Sequence, residues 1–113
     1  MPDTIFSKII KKEIPAEFLY EDDQCIAIKD VNSQAPVHIL VIPKKPIAKL
    51  VDAAEEDKML LGHLLLVAGK ITQELGISDA FRLVINNGSE AGQTVFHLHL
   101  HVMGGRLFEW PPG

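Results

Sequence analysis

The sequence predicts an α+β domain with a five-stranded, mostly antiparallel sheet, one short helix and one long helix. Five short segments rich in β-branched or aromatic residues are bounded by Pro, Gly or acidic turns, as strands usually are. Two other segments carry apolar residues at helical spacing. The resulting order of helix, three strands, helix and two strands lacks the regular strand–helix alternation that is typical of a parallel sheet.

The first half of the chain predicts one helix and three strands. Thr4 is a suitable N-cap for a helix over residues 5–12, and Pro15 prevents that helix from continuing. Phe18–Glu21 and Cys25–Lys29 flank an acidic turn and predict an antiparallel hairpin. Residues 37–42 are apolar and β-branched between two prolines, which predicts a buried strand.

The second half predicts the long helix, over residues 52–76, and the last two strands, over 81–87 and 95–103. Asp52 and Glu55 have the spacing of a capping box, and Gly76 suits the position just past a helix end. The helix carries two apolar rows, which are wider together than one contact with a sheet requires. These rows are Leu60, Leu64, Val67, Ala68, Ile71 and Leu75, and Leu61, Leu65 and Ala68.

Composition limits the function classes. A chain of 113 residues with 47% apolar side chains predicts a single domain, residues 1–113, with an adequate core. No apolar run is long enough for a membrane span or a signal peptide, and the single cysteine cannot form an internal disulfide, so we expect a cytoplasmic protein. A net charge of −4 disfavours a nucleic-acid polymer as ligand, but it permits a small phosphorylated one.

Three histidines alternate with leucines at His97, His99 and His101. On a strand, residues two apart point the same way, so a strand here places three imidazoles on one face. Such a face can be merely polar, or it can hold Zn²⁺ with Asp30 or Glu90 supporting the ligands. The third interpretation is a nucleophile, because neutral imidazole attacks phosphorus and its phosphoramidate adduct is labile to water.

The loop before this run has the composition of a phosphate-binding loop. Residues 88–94 contain Gly, Ser and Thr, and could offer backbone N–H groups and a hydroxyl to phosphate oxygens. Asn86 ends the preceding predicted strand and carries an amide donor. The remaining candidates have plainer interpretations: we expect His63 to be structural and Cys25 to be a core thiol.

Residues 93–103 resemble the His-φ-His-φ-His-φ-φ signature of the histidine-triad superfamily, where φ is apolar. Residues 3–6, 13–16, 34–38, 41–45 and 61–64 and the closing segment 104–113 resemble its Hint branch, the histidine-triad nucleotide-binding proteins. Essentially the whole chain is covered. Thr94 and Phe96 stand where many members have Ser and Tyr.

The resemblance implies a homodimer with joined sheets that hydrolyses purine nucleoside 5′-phosphoramidates without a cofactor or metal. Aminoacyl adenylates are the second class of substrate that we expect. It implies that His99 forms a covalent nucleotidyl intermediate, that His97 and His101 orient it and contact phosphate, and that His38 joins the proton network. The implied substrate contacts are Asn86, Thr94 and Val95 for phosphate, Asp30 for ribose, and Ile5, Phe6, Ile9, Ile14, Ile28 and Val31 for the purine.

Two other functions stay open from the sequence. A dinucleoside polyphosphate hydrolase would use the same histidine chemistry, although the Trp-Pro-Pro-Gly ending favours the Hint branch. A nucleotide-binding regulatory or scaffold protein would use the same site, with only incidental hydrolysis. In a dimer, we expect the tail at Trp110 to approach the partner's site.

Overall fold

A computed structural model describes residues 3–113 of the chain. Its helices and strands are α1 Ile5–Ile10, β1 Phe18–Glu21, β2 Cys25–Lys29, β3 Val37–Pro43, α2 Lys58–Glu74, β4 Phe81–Val84 and β5 Leu100–Gly104. Short 3₁₀ turns lie at Leu50–Asp52, Glu55–Asp57 and Ser89–Ala91. Among these residues, neither helix has the length and apolarity that crossing a membrane requires.

The five strands form one sheet in the order β1-β2-β3-β5-β4, and every neighbouring pair is antiparallel. The predicted α+β class and five-stranded sheet are therefore confirmed. β3 is the central strand, between β2 and β5, and it is buried along almost its whole length. β1 and β4 form the two edges.

The sheet buries a different core on each face, because successive side chains of a strand alternate between faces. The α2 face packs Cys25, Ala27, Ile39, Val41, Leu100 and Val102 against Leu64, Val67, Ala68 and Ile71 of α2. The α1 face packs Ile26, Ile28, Leu40 and Ile42 against Phe6 and Ile9. His38 and His101 alternate with Ile39 and Val102 of the α2 face along β3 and β5, so both histidines belong to the α1 face.

Both helices are shorter than predicted. α1 ends at Ile10 instead of residue 12, because Lys12 adopts a left-handed conformation (φ 65°) and the Glu13 N–H returns to the Lys8 carbonyl at 2.9 Å. α2 begins at Lys58 instead of residue 52. The capping box predicted at Asp52 is wrong: the buried Asp57 carboxylate precedes the helix, where it accepts the Ala54 N–H at 2.8 Å.

The last two strands are also shorter than predicted. β4 ends at Val84 instead of residue 87, and β5 begins at Leu100 instead of residue 95, so only His101 of the histidine run lies in a strand. Continuing the β3–β5 register would place Leu98 opposite Pro43, which has no N–H for the ladder. The Leu98 N–H instead donates to the Ile47 carbonyl at 2.6 Å, and this draws the segment out of the sheet.

Candidate active site

A carboxylate and two imidazoles meet on the α1 face of the sheet. His38 on β3 and His101 on β5 lie on neighbouring strands, with 2.9 Å between His38 Nε2 and His101 Nδ1. Asp30 directly follows β2, and its Oδ2 lies 3.3 Å from His38 Nε2 and 4.0 Å from His101 Nδ1. The antiparallel register of three adjacent strands therefore assembles this group, which we call the Asp30 cluster.

The hydrogen bonds around His38 define where its proton lies. The backbone N–H of Gln34 donates to His38 Nδ1 at 2.9 Å, so that nitrogen must accept. A neutral His38 then carries its proton on Nε2, which faces His101 Nδ1 and Asp30. Because His101 accepts at Nδ1, a neutral His101 carries its own proton on Nε2. The two rings thus form a directed chain of donors.

His97 and His99 are held by backbone carbonyls rather than by a strand. The His97 Nε2–H donates to the Pro43 carbonyl at 2.7 Å, and the His99 Nδ1–H donates to the carbonyl of His97 at 2.8 Å. In its neutral form, His99 therefore keeps a free lone pair on Nε2. The ring centroids of His99 and His101 lie 5.0 Å apart. The imidazoles therefore come together, although the strand predicted from residue 95 begins only at Leu100.

Burial keeps three of these imidazoles uncharged at neutral pH. It lowers the pKa of His101 to about 4, and the neighbouring His99 and His38 add to this effect. Burial also lowers the pKa of His38, although the charge of Asp30 opposes the shift. For His97, burial lowers the pKa more than its bond to the Pro43 carbonyl raises it. The directed chain of neutral donors therefore persists at pH 7.

An apolar wall adjoins the histidines. The ring of Phe6 lies edge-on to His99, with 4.9 Å between centroids, and 6.4 Å from His97. Four of the six residues expected at a purine belong to the cluster around this ring, whereas the other two lie at the surface. Phe6, Ile9, Ile28 and the partly buried Ile14 form the first set, and Ile5 and Val31 the second.

The loop predicted to bind phosphate is organised by Gln93, whose role sequence reasoning missed. This side chain is only 2% exposed. Its Oε1 accepts the Gly88 N–H at 2.8 Å, and its Nε2 donates to the carbonyls of Ala48 and Val95 at 2.8 and 3.1 Å. The sequence held one signal for this role: a long polar side chain stands just before the alternating apolar run. Such a side chain is buried only when its donors and acceptors are hydrogen-bonded.

The other predicted phosphate contacts flank this loop. Thr94 is exposed and Val95 is half-buried against the α1-face core. Gly92 has a φ of 100°, and a Cβ built there would lie 3.5 Å from Asn86 Nδ2, so the Asn86 amide packs against the loop backbone. The structure thus brings Asn86 next to the loop that carries Thr94.

The side chains that could bind a metal differ from the three alternating histidines that the sequence offered for Zn²⁺. His97 and His99 each use one ring nitrogen on a carbonyl. In the described part of the chain, the group at this site whose ligand atoms all lie within 4.8 Å of one another is Asp30, His38 and His101. A metal here would thus be bound by one carboxylate and two imidazoles.

Comparisons with known proteins agree on one family. A family model described as HIT domain matches residues 11–108. The chain is 68% identical over 111 residues to an uncharacterized HIT-like protein of Synechocystis sp., covering 98% of this chain and 97% of that protein.

Solved structures share the fold over nearly the full length. A HIT family hydrolase from Legionella pneumophila Philadelphia 1 superimposes with a TM-score of 0.96 at 46% identity, covering 98% of this chain and 100% of that one. A histidine triad nucleotide-binding protein from Candida albicans superimposes with a TM-score of 0.82 at 32% identity, covering 96% of this chain and 83% of that one.

Proposed function

Since the chain belongs to the HIT-domain family, we propose that it is a Hint-branch hydrolase that cleaves the P–N bond of purine nucleoside 5′-phosphoramidates, with His99 as nucleophile. The observation that carries the proposal is the bond from His99 Nδ1–H to the His97 carbonyl, which fixes the proton on Nδ1 and leaves Nε2 free to attack. The resemblance to a HIT family hydrolase and to a nucleotide-binding protein supports the substrate class.

The first step of the proposed reaction is displacement at phosphorus. His99 Nε2 forms a bond to phosphorus, and the P–N bond breaks with its electron pair leaving on nitrogen. The departing amine needs a proton, because an amide anion is a poor leaving group. That proton must come from solvent, because a neutral imidazole that gave up its only N–H would be left as an anion. His101 is suited to relay it, directly or through the phosphate, since its acceptor Nδ1 leaves the N–H on Nε2.

The second step returns His99 to its starting state. Water attacks phosphorus in the nucleotidyl-histidine, the P–Nε2 bond breaks, and the nucleoside monophosphate leaves. The chain of His38 and His101, with Asp30 beside it, can take up the proton that the water loses. Backbone N–H groups of the Gln93-organised loop, with Thr94 and Asn86, would stabilise the charge on the phosphate oxygens, so the reaction needs no metal.

We assign the rest of the substrate to the neighbouring residues. The purine would pack on the apolar wall of Phe6, Ile9, Ile14 and Ile28, with Ile5 and Val31 closing over it. Asp30 would accept hydrogen bonds from the ribose hydroxyls. Its side chain is 17% exposed and directly follows β2, next to His38, which supports this role.

The test is turnover of adenosine 5′-phosphoramidate in the presence of a chelator, with wild type and His99→Ala compared. We expect wild-type turnover and trapping of a nucleotidyl adduct, and neither with the variant. Nucleotide binding without turnover would favour the regulatory or scaffold alternative. Faster cleavage of a dinucleoside polyphosphate would favour that hydrolase instead. Loss of turnover on chelation with recovery on adding Zn²⁺ would replace the nucleophile mechanism by a metal-dependent one.

We also propose that the protein is a homodimer that uses the outer side of α2. Leu65 is 51% exposed, and Met59 and Leu66 are more exposed still. Leu65 also lines an apolar cleft of about 160 Å³, together with Leu50, Leu61, Leu64, Ile85, Leu98, His99 and Leu100. A monomer rarely leaves so much adjoining apolar surface in water. β4 is an edge strand, which supports joining of the two sheets.

Sedimentation equilibrium at micromolar concentration tests the dimer. Leu65→Glu should produce monomers, because it places a charge in the proposed interface without touching the monomer core. Leu64 is unsuitable for this purpose, since it is buried in the core of its own chain. A wild-type mass of one chain at all concentrations would contradict the dimer.

We propose the cytoplasm as the compartment of this protein, and the free thiol of Cys25 supports it.

A further inference from the structure

A second group of metal-ligating side chains lies on the α2 face of the sheet, and the proposed reaction does not use it. Asp22 comes from the β1–β2 turn, Cys25 from the start of β2 and His63 from α2. One ligand atom of each lies within 4.8 Å of the other two. The thiol is fully buried, whereas the Asp22 and His63 side chains are 21% and 29% exposed, so the group opens to solvent on one side.

The Asp22 carboxylate is fixed in place by its own turn. Oδ1 accepts the backbone N–H groups of Gln24 and Cys25 at 2.7 and 2.8 Å. Oδ2 lies 2.6 Å from His63 Nε2 and accepts the Tyr20 hydroxyl at 2.8 Å. Burial alone raises the pKa of Asp22, but the bonds from His63, Gln24 and Tyr20 outweigh it and hold the pKa well below its usual range. An ionised oxygen and an imidazole nitrogen are therefore already in contact, close to the sulfur of Cys25.

We propose that Asp22, Cys25 and His63 form a binding site for a divalent cation of the zinc class. One thiolate, one imidazole and one carboxylate are donors that Zn²⁺ accepts in a tetrahedral arrangement. The two negative ligands cancel the charge of the ion, which suits a half-buried site. Tetrahedral zinc geometry places neighbouring ligand atoms about 3.3–3.8 Å apart. His63 Nε2 and Asp22 Oδ2, now 2.6 Å apart, would therefore separate to admit the ion, while the sulfur, within 4.8 Å of both, would move closer by no more than about 1 Å. The Tyr20 hydroxyl or a water would complete the coordination.

Binding requires two changes of protonation. Burial raises the pKa of the Cys25 thiol to about 12, so without an ion the sulfur keeps its proton. The cation takes the sulfur as thiolate, and that proton passes to solvent. Without an ion, His63 Nε2–H donates to Asp22 Oδ2, so on binding a neutral His63 must move its proton to Nδ1 and offer the Nε2 lone pair to the cation. The ion would replace the His63–Asp22 contact by a stronger link between α2 and the β1–β2 hairpin.

The single cysteine makes the experiment specific. Co²⁺ bound to a thiolate gives a sulfur-to-metal charge-transfer band, and in this chain any such band must come from Cys25. We would titrate the reduced wild-type protein with Co²⁺, record the absorption spectrum, and then add Zn²⁺. We expect a saturable charge-transfer band with one Co²⁺ per chain, tetrahedral visible bands, and loss of all bands when Zn²⁺ displaces Co²⁺.

Two variants and one control test the ligands. Cys25→Ala should abolish the charge-transfer band, and His63→Asn should weaken Co²⁺ binding by more than about tenfold. His101→Asn is the matched control: it removes a histidine from the Asp30 cluster, which contains no sulfur, and should leave the band unchanged. Absence of the band in folded wild type at saturating Co²⁺ overturns the proposal, whether or not either variant folds. A band that survives His63→Asn at wild-type affinity also overturns it. Neither result depends on hydrolysis.

Discussion

Two histidine–carboxylate clusters occupy opposite faces of the same sheet and are built differently. In the first, the Asp22 carboxylate accepts two backbone N–H groups and a tyrosine hydroxyl, and lies 2.6 Å from His63. In the second, Asp30 accepts one backbone N–H, from Asn32 at 2.9 Å, and its other oxygen lies 3.3 Å from His38. The Asp22 carboxylate is therefore saturated, whereas the Asp30 carboxylate retains acceptor capacity.

The difference indicates what each cluster can do without a ligand. The Asp22 carboxylate has all its acceptor positions occupied, and its short contact with His63 connects the β1–β2 hairpin to α2 as a cross-link. In the Asp30 cluster, each imidazole has a defined donor and acceptor side, and burial keeps His38 and His101 neutral by lowering their pKa values. Phosphoryl transfer requires groups that exchange protons and partners, and only the second arrangement allows this. We therefore expect substitutions in the Asp30 cluster to lower turnover, and substitutions at Asp22 to lower the free energy of unfolding.

The largest expected effect is at His99. Replacing it with Ala removes the proposed nucleophile, and kcat for adenosine 5′-phosphoramidate should fall by at least about 10³-fold. Nucleotide affinity, measured by calorimetry with the monophosphate, should change far less. If His99→Ala kept more than about a tenth of wild-type turnover, a loss below about 1.4 kcal/mol, then His99 would not be the nucleophile.

A smaller loss is expected at His38, which donates its Nε2–H to His101. His38→Ala should lower kcat by about 10²-fold, a typical contribution of a positioned proton network, with little change in KM. His38→Gln is the matched variant, because its amide can place an N–H donor near the position of Nε2. We expect Gln to restore part of kcat. Equal kcat values for the two variants would show that the bond to His101 does not matter for turnover.

The contrast between the clusters also explains what the sequence could predict. The antiparallel sheet followed from local patterns, since Phe18–Glu21 and Cys25–Lys29 occur as predicted. The grouping of His99 with His101 was predicted for a wrong reason, because the bond from Leu98 to Ile47 draws His99 out of the strand. Long-range bonds of this kind leave no periodic signal in the sequence.

The same limit applies to His63 and Gln93. Their partners are distant in the chain: Asp22 is 41 residues from His63, and Ala48 is 45 residues from Gln93. A histidine on a helix and a glutamine in a loop are ordinary surface residues until the fold places an acceptor beside them. The local sequence around Asp30 and Asn86 was too weak to predict a role for either residue. Their expected roles therefore came from the family resemblance.

The third prediction tests the Asp22 cluster as a cross-link. Asp22→Asn removes the charge that His63, Tyr20 and two backbone N–H groups share, and should lower the free energy of unfolding by about 2 kcal/mol. Asp23→Asn is the control: Asp23 is the exposed neighbour in the same turn, and its substitution should stay within about 0.5 kcal/mol. Urea unfolding in chelator measures both without any bound metal. Equal stabilities of the two variants would show that the contacts of Asp22 add nothing.

The smallest expected effect separates the two clusters by pH. The pKa of His101 is about 4 in the folded protein and about 6.5 when unfolded, so between these values the unfolded chain binds more protons. Stability from His101 should thus be complete above pH 6.5 and fall as the pH drops towards 4. The pKa of Asp22 is held below the usual carboxyl range, so its contribution is lost only below about pH 4. We would measure the free energy of unfolding in urea at pH 7, 6.3 and 5.5. Between pH 7 and 5.5, His101→Gln should lose about 1 kcal/mol less stability than wild type, whereas Asp22→Asn should start from a lower stability and show the wild-type pH dependence. A wild-type slope in His101→Gln would mean that its burial in the Asp30 cluster does not govern acid stability.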